Sequence, residues 1–357
     1  YWLTELAAKS TALRMNPDIV SVKKMKEIHG YAFPPMGCRA FLSVFKDKDN
    51  NPIFYGRGNL GVCSINLPYA ALESGGDVRK FFDILGQKLE LARQVCELRY
   101  EKLRGVKASI APILWQHGAI ARLNPDDDIL KAIDERGFTV TIGYSGLYET
   151  VKYLTGKSHT TKEGFELAEF IMRYLRDSLA NFKINQPHLR FALYGTPQES
   201  TTGWFSEKLK AKFGVIEDIT DKGWITNSYH IDIREEIDAF EKLNIESKLQ
   251  NFSTGGAVSY IETNPMHDNV AAVLKLYEHM YETIIYSEIN FESDVCGVCK
   301  HTGIMDNDPE TLDWVCPVCG NRDQTKLSVV RRTCGYLGET TWTTGRKLDI
   351  INRVKHL

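Results

Sequence analysis

Four cysteines near the C-terminal end carry the clearest chemical signal: Cys296-Gly-Val-Cys299, then sixteen residues, then Cys316-Pro-Val-Cys319. Two Cys-x-x-Cys knuckles at this separation let four thiolates converge tetrahedrally on one ion, with Gly297 and Gly320 easing the tight turns. Zinc is the expected metal, because it accepts four sulfurs and needs no redox partner, and iron is its rival in the same cage. Protein ligands would fill every coordination position, so the site is expected to be structural. Such a ribbon serves transcription factors and enzymes alike and names no function by itself.

The remaining candidates are weaker taken singly. Cys38 follows Pro34-Pro35-Met36-Gly37 and precedes a strand-like stretch, a setting equally suited to an ordinary buried thiol. Cys63 alternates with apolar neighbours and Cys96 falls on an apolar helical stripe, so both read as core. His117, His188, His267 and His356 are scattered without metal-ligand spacing. The stretch Gly195-Thr-Pro-Gln-Glu-Ser-Thr-Thr ends a strand and begins a helix. Its free amides and hydroxyls could hold phosphate, although most turns of this kind hold nothing. Thr254-Gly255-Gly256 carries the same ambiguity.

These residues need a scaffold, and the composition supplies an ordinary one. The chain has 357 residues, 43% hydrophobic and 25% charged, with a net charge of −2. That profile excludes a disordered tail, a collagen-like fibre and a disulfide miniprotein. A pI near 6.6 argues against wholesale phosphate-backbone binding. No apolar run approaches the roughly 18 residues needed to span a bilayer. Five of the eight cysteines follow residue 295, so they form no distributed disulfide framework, and a reducing cytoplasm is expected. The chain opens on Tyr1 without a signal-peptide pattern, as expected of a processed or truncated piece of something longer.

Periodicity predicts a helical segment over 1–30 ending near Gly30, then an extended loop at 31–38. Strands are expected at 38–45 and 60–67, followed by a helix over 78–104 with Phe81, Leu85, Leu89, Ala92, Cys96 and Leu98 on its apolar stripe. Further strands are expected at 108–113, 138–142, 190–194 and 257–261, and helices at 163–182 and 267–283, the first opened by a Thr160/Glu163 capping box. Strands alternating with helices of this length predict an α/β architecture. A composition shift near 293 marks a boundary.

The stretch Arg331-Arg-Thr-Cys-Gly-Tyr-Leu-Gly resembles the glycyl-radical signature. The whole C-terminal end, RRTCGYLG…GR…RVKHL, resembles the anaerobic (class III) ribonucleotide reductases. YAFPPMGCRAFLS (31–43) resembles that family's thiol-bearing loop, and GRGNLGVCSINLPYAALE (56–73) its adjoining strand. IGYSGLYE (142–149), LYGTPQES (193–200) and TGG (254–256) follow in family order, with the four-cysteine site as a further mark.

The resemblance implies part of a ten-stranded α/β barrel of the glycyl-radical type. It divides the chain into barrel with finger loop (1–292), zinc ribbon (293–325), and radical loop with tail (326–357). It implies a radical on Gly335, whose Cα can flatten because it bears no side chain, and a transient thiyl on Cys38 that removes the 3′ hydrogen of a ribonucleoside triphosphate. Met36 would border the pocket, Asn59 matches a substrate-contacting asparagine, and Tyr194 matches an active-site tyrosine. Thr196, Glu199 and Ser200 are expected to help position substrate. Formate is the expected reductant, and a radical-SAM iron–sulfur activase the expected source of the radical. Family members carry a further active-site cysteine and allosteric nucleotide sites in an N-terminal half that is not in this sequence. The chain is therefore expected to be the C-terminal part of a larger subunit, homodimeric when complete, with Cys63 a possible substitute thiol but better read as core. Two rival readings stay open: a formate-acetyltransferase-like lyase, which would lack the four-cysteine knot, and a zinc-ribbon module binding nucleic acid, which the acidic balance disfavours.

Overall fold

Two small sheets hold the centre of the fold, and each is built from parallel strands joined by helices. In the first, Thr139–Ser145 lies between Asn59–Asn66 and Arg190–Tyr194, parallel to both. Thr139–Ser145 is buried at every residue, whereas the outer strand Asn59–Asn66 is mostly half-buried. A strand covered on both faces favours parallel pairing with helical crossovers. In the second sheet Ser259–Glu262 pairs parallel with Tyr286–Asn290, and Ile19–Val20 pairs antiparallel on the other side of Tyr286–Asn290. The computed structural model describes residues 1–357 except 38, 43, 186–188, 199, 334–335 and 340–341, together with the side chains of 183–185, 336, 337 and 339. Among the described residues these sheets supply five parallel strands, half of a ten-stranded barrel.

Helices cover the first sheet for reasons written in the sequence. Asn66 caps Leu67–Ser74 by accepting from the Tyr69 N–H, and Asp77 caps Val78–Glu101 by accepting from the Lys80 N–H. The stripe Phe81, Leu85, Leu89, Ala92 and Cys96 packs against the sheet. Leu98 does not belong to it: that side chain is 59% exposed, and Tyr100, four residues after Cys96, is buried instead. Cys63 packs half-buried against the same core, as expected. No helix of the described residues is long and apolar enough to cross a membrane.

Other expectations need correction. The segment 1–30 is two helices, Trp2–Arg14 and Val22–His29, because Pro17 cannot continue a helix and Ile19–Val20 joins the second sheet. Gly30 does cap the second helix, at φ 79°. Among the described residues of 38–45, Ala40 makes only a bridge to Met36, and ladder pairing starts at Phe45, in the short strand Phe45–Lys46 against Pro52–Ile53. The stretch 108–113 is a 3₁₀ turn, Ala108–Ile110, running into a short helix whose first residue is Pro112. The capping box does not form: Thr161 caps the helix alone, accepting from the Gly164 N–H, while Thr160 donates to Glu235. Glu163 pairs with Lys157.

Beyond residue 293 the elements are short. Val295–Cys296 pairs with Leu327–Ser328, Asp306–Asn307 with Trp314–Val315, and Val330–Thr333 with Tyr336–Glu339. Cys296, Met305, Trp314, Cys316, Leu327 and Val329 form their own apolar cluster, joined by Ile350 from the helix Thr344–Ile351. The C-terminal tail returns to the second sheet. There the His356 N–H donates to Glu262 O, and its ring Nδ1 accepts from the Glu262 N–H at 2.7 Å.

Candidate active site and metal centre

Three of the sequence-predicted segments meet at backbone distance. Met36 and Ala40 bond to each other through both main-chain pairs, at 2.7 and 3.2 Å, so 36–40 is a tight loop. Gly37 and Arg39 within it take φ of 53° and 70°. Cys38 lies outside the described residues. The loop is held down by the Phe41 N–H, which donates to Gly255 O at 2.8 Å. Gly256 makes the approach possible. A Cβ there would sit 2.1 Å from Arg39 O and 2.6 Å from Phe41 N. The same turn joins the end of the strand Arg190–Tyr194, since the Gly255 N–H donates to Leu193 O and the Gly195 N–H to Gly256 O. Thr254-Gly255-Gly256 is thus a clamp between loop and sheet.

The polar candidates lie along the first sheet, Asn59 at the start of its strand, level with Thr139, and Tyr194 at the end of its own, level with Gly143. The Asn59 amide donates to Thr141 Oγ1 at 3.1 Å and accepts from the Gly61 N–H at 2.9 Å, at an irregularity in the strand register. One N–H and one carbonyl lone pair remain for a ligand. Thr196 is 7% exposed; its hydroxyl lies 3.0 Å from Ser64 Oγ, in space that a side chain on Gly143 would fill. Tyr194 is equally buried, opposite Gly143 in the sheet. Met36 is half-buried on the loop. Ser200 stands apart. It is exposed at the start of the helix Thr201–Phe213, beside Thr343 and Thr344. Glu199 lies outside the described residues.

The hairpin Val330–Thr333/Tyr336–Glu339 places Thr333 opposite Tyr336. The two residues between them, Cys334 and Gly335, lie outside the described residues. What anchors this hairpin was not read from the sequence. Asp294 accepts from the Met305 N–H at 3.0 Å, the Val330 N–H at 3.2 Å and Arg331 Nη2 at 2.8 Å. The side chain of Asn290 accepts from the Arg332 N–H at 2.9 Å and donates to Glu262 at 2.7 Å. Arg353 bonds both Glu262 and Arg332 O at 2.9 Å. Arg332, 3% exposed, pairs with Asp18 and lies 3.1 Å from Glu288. Glu288 also pairs with Arg39 at 3.5 Å. Burial pushes the Glu288 carboxyl up to about 7; Arg332 and Arg39 pull against that rise and Asp18 adds to it. Glu288 was detectable in principle, as a charge inside the apolar run 284–291.

The four cysteines do converge. Cys296 and Cys319 sulfurs lie 3.7 Å apart, Cys299 and Cys316 sulfurs 3.6 Å apart, and all four fall within 4.8 Å of one another. A tetrahedron with metal–sulfur bonds of 2.3 Å has edges of about 3.8 Å, while a disulfide would need about 2.0 Å. The quartet therefore fits a thiolate-bound zinc or iron and not a pair of disulfides. Because Leu327 pairs with Cys296 and the hairpin starts three residues later, this knot sits at the base of the Gly335 segment.

Comparison with known proteins agrees with this geometry. A sequence model described as anaerobic ribonucleoside-triphosphate reductase matches residues 1–356. The chain is 36% identical over 366 residues to the anaerobic ribonucleoside-triphosphate reductase of Enterobacteria phage T4, covering all of this chain and 58% of the phage protein. It is 35% identical to the Escherichia coli (strain K12) protein of the same description, covering 51% of that protein. It therefore spans about half the length of the curated relatives it matches. A solved anaerobic ribonucleotide reductase superposes with a TM-score of 0.69 at 18% identity, over 99% of this chain and 52% of that one. With the family's sequence pattern running through almost every residue, this chain belongs to the anaerobic ribonucleoside-triphosphate reductase family.

Proposed function

We propose that this chain carries the thiol and glycyl-radical sites of an anaerobic ribonucleoside-triphosphate reductase, with Cys38 and Gly335 as the reacting residues. The observation that supports this most is the clamp of Gly255 and Gly256 on the 36–41 loop, beside the first sheet, which bears Asn59, Tyr194 and Thr196. Hydrogen-atom transfer needs such close, fixed placement away from solvent. In the proposed cycle a radical at Gly335 takes the hydrogen of the Cys38 thiol, and the resulting thiyl takes the 3′ hydrogen of the ribose. Water leaves from C2′, and formate supplies two electrons. Overall, ribonucleoside triphosphate, formate and one proton give deoxyribonucleoside triphosphate, carbon dioxide and water. Asn59 would hold ribose hydroxyls with its remaining N–H and lone pair, while Tyr194 and Thr196 close the pocket wall and Met36 borders it. Glu199 and Ser200 are proposed to help position the substrate. The four cysteines would hold zinc as a structural ion, which braces the Gly335 segment and takes no part in the reaction. That site also favours a reductase over a formate-acetyltransferase-like lyase. A radical-SAM activase is the proposed source of the radical.

The test is anaerobic turnover of the complete enzyme with labelled formate. Labelled carbon dioxide should appear in a one-to-one ratio with deoxynucleotide, and Cys38→Ser should abolish both. Deoxynucleotide formed by the Cys38→Ser enzyme would overturn the assignment.

A further inference from the structure

One strand holds both reacting segments. Alternate residues of Tyr286–Asn290 share a face of the sheet, and three of them serve the hairpin strand Val330–Thr333. Tyr286 donates to Asp18, which pairs with Arg332; Glu288 faces Arg332 directly; the side chain of Asn290 accepts from the Arg332 N–H. Two of the three also reach the other segment: the Tyr286 ring stacks on Phe41, and Glu288 makes the charged contact, through Arg39. Arg39 is the residue after Cys38, and Arg332 lies three residues before Gly335. The Arg39 and Glu288 side chains are each 1% exposed, and that of Arg332 3%. Arg39 moreover holds φ 70°, which a residue with a Cβ keeps only when its surroundings fix it. Charges so deeply buried need counter-charges: Arg39 has Glu288, and Arg332 has both Glu288 and Asp18, so Glu288 is the carboxylate the two arginines share.

We propose that Glu288 is a positioning residue for the hydrogen transfer: by gripping Arg39 and Arg332 together, its carboxylate sets the spacing between the Cys38 loop and the Gly335 hairpin. This rests on the assignment of Cys38 and Gly335 made above. Neutralising Glu288 leaves Arg332 with Asp18 but takes the facing carboxylate from Arg39, and repulsion between the two buried guanidinium groups separates the segments. The rate of a step that depends on near-contact of the reacting atoms then falls, while nucleotide binding, proposed on the first sheet, does not.

The experiment compares wild type, Glu288→Gln and Glu288→Asp in the complete, activated enzyme. Glycyl spin per chain, zinc content, melting temperature, kcat and KM are measured on the same samples. Glu288→Gln should fold with its zinc and accept the radical, yet lose about 100-fold in kcat with KM within about threefold. Glu288→Asp, which keeps the charge, should recover part of the loss. A Glu288→Gln kcat within about threefold of wild type overturns the proposal. So does a kcat loss that merely parallels loss of spin or zinc, since that marks a structural role. Should Glu288→Gln not fold, Arg39→Lys, which keeps the charge but not the fork, is read by the same criteria. Cys38→Ser is assayed beside them: if it turns over, the underlying assignment is wrong, whereas if it is dead and Glu288→Gln is fully active, only the role of Glu288 falls.

Discussion

Alanine at Gly256 would push the proposed thiol loop off its seat, and the displacement can be read from the structure. The new Cβ would start 2.1 Å from Arg39 O, and Cβ atoms essentially never approach within 3.0 Å, so the loop must retreat by about 0.9 Å. The obstructing atoms are backbone (Arg39 O, Phe41 N and Ala40 C), so no side chain can swing away to absorb the change. A misplacement of about 1 Å at a reacting group costs on the order of 100-fold in rate. Backbone strain adds its own effect, because φ at Gly256 is +101°; a residue with a Cβ there costs roughly 1–3 kcal/mol of stability. Gly75→Ala separates the two contributions. Gly75 also has positive φ, +67°, but nothing lies within 4 Å of its Cβ position. Both variants should therefore melt a few degrees lower, and only Gly256→Ala should lose turnover, by about 100-fold at unchanged zinc content. Folded Gly256→Ala enzyme within about threefold of wild type would refute the clamp.

Two further outcomes follow from other parts of the molecule. The chain should bind one zinc or iron per molecule, and Cys316→Ser should raise hydrogen exchange over 290–335 before the sheets are affected, because Cys296 and Cys316 belong to a cluster of their own; full metal content in that variant would contradict the four-thiolate site. Burial lowers the fully buried His159 from 6.5 to about 4, so the folded state resists its protonation. Its contribution to stability is complete above pH 6.5 and is lost as pH falls toward 4, about 2 kcal/mol between pH 7 and pH 5. His159→Phe should remove that part of the pH dependence in denaturant titrations, and identical slopes in the two proteins would show the histidine is not so placed.

Much of the scaffold was legible because it is locally specified. The strand Arg190–Tyr194 matches its expected bounds, and the helix Val78–Glu101 follows its apolar stripe to Cys96. The expected stripe misleads at Leu98 because that residue is two after Cys96, about 200° round the helix, and so faces away from the sheet. The stretch 38–45 looks like one strand, but its described residues Ala40 and Phe41 are instead buried against the Gly255-Gly256 turn, a contact no local pattern encodes. The zinc cysteines were legible because two knuckles with fixed internal spacing need only one fold-back. The cage of ion pairs was not, because Glu288 lies 249 residues from Arg39, and Arg332 lies 316 residues from Asn16, whose side-chain oxygen it bonds. Residues that chemistry-bearing motifs name were visible; those that hold the motifs in place became visible only in three dimensions.

The most direct measurement is the electron-spin spectrum of the complete enzyme after anaerobic treatment with its activase, followed by exposure to air. A radical on Gly335 couples to its single remaining α hydrogen and should give a doublet, which Gly335→Ala abolishes without loss of zinc and Cys38→Ser leaves intact. Air should then cleave the backbone at Gly335 and release a C-terminal peptide of about 22 residues, the difference between 357 and 335. A doublet that survives Gly335→Ala, or oxygen cleavage mapping to another residue, would contradict the central assignment.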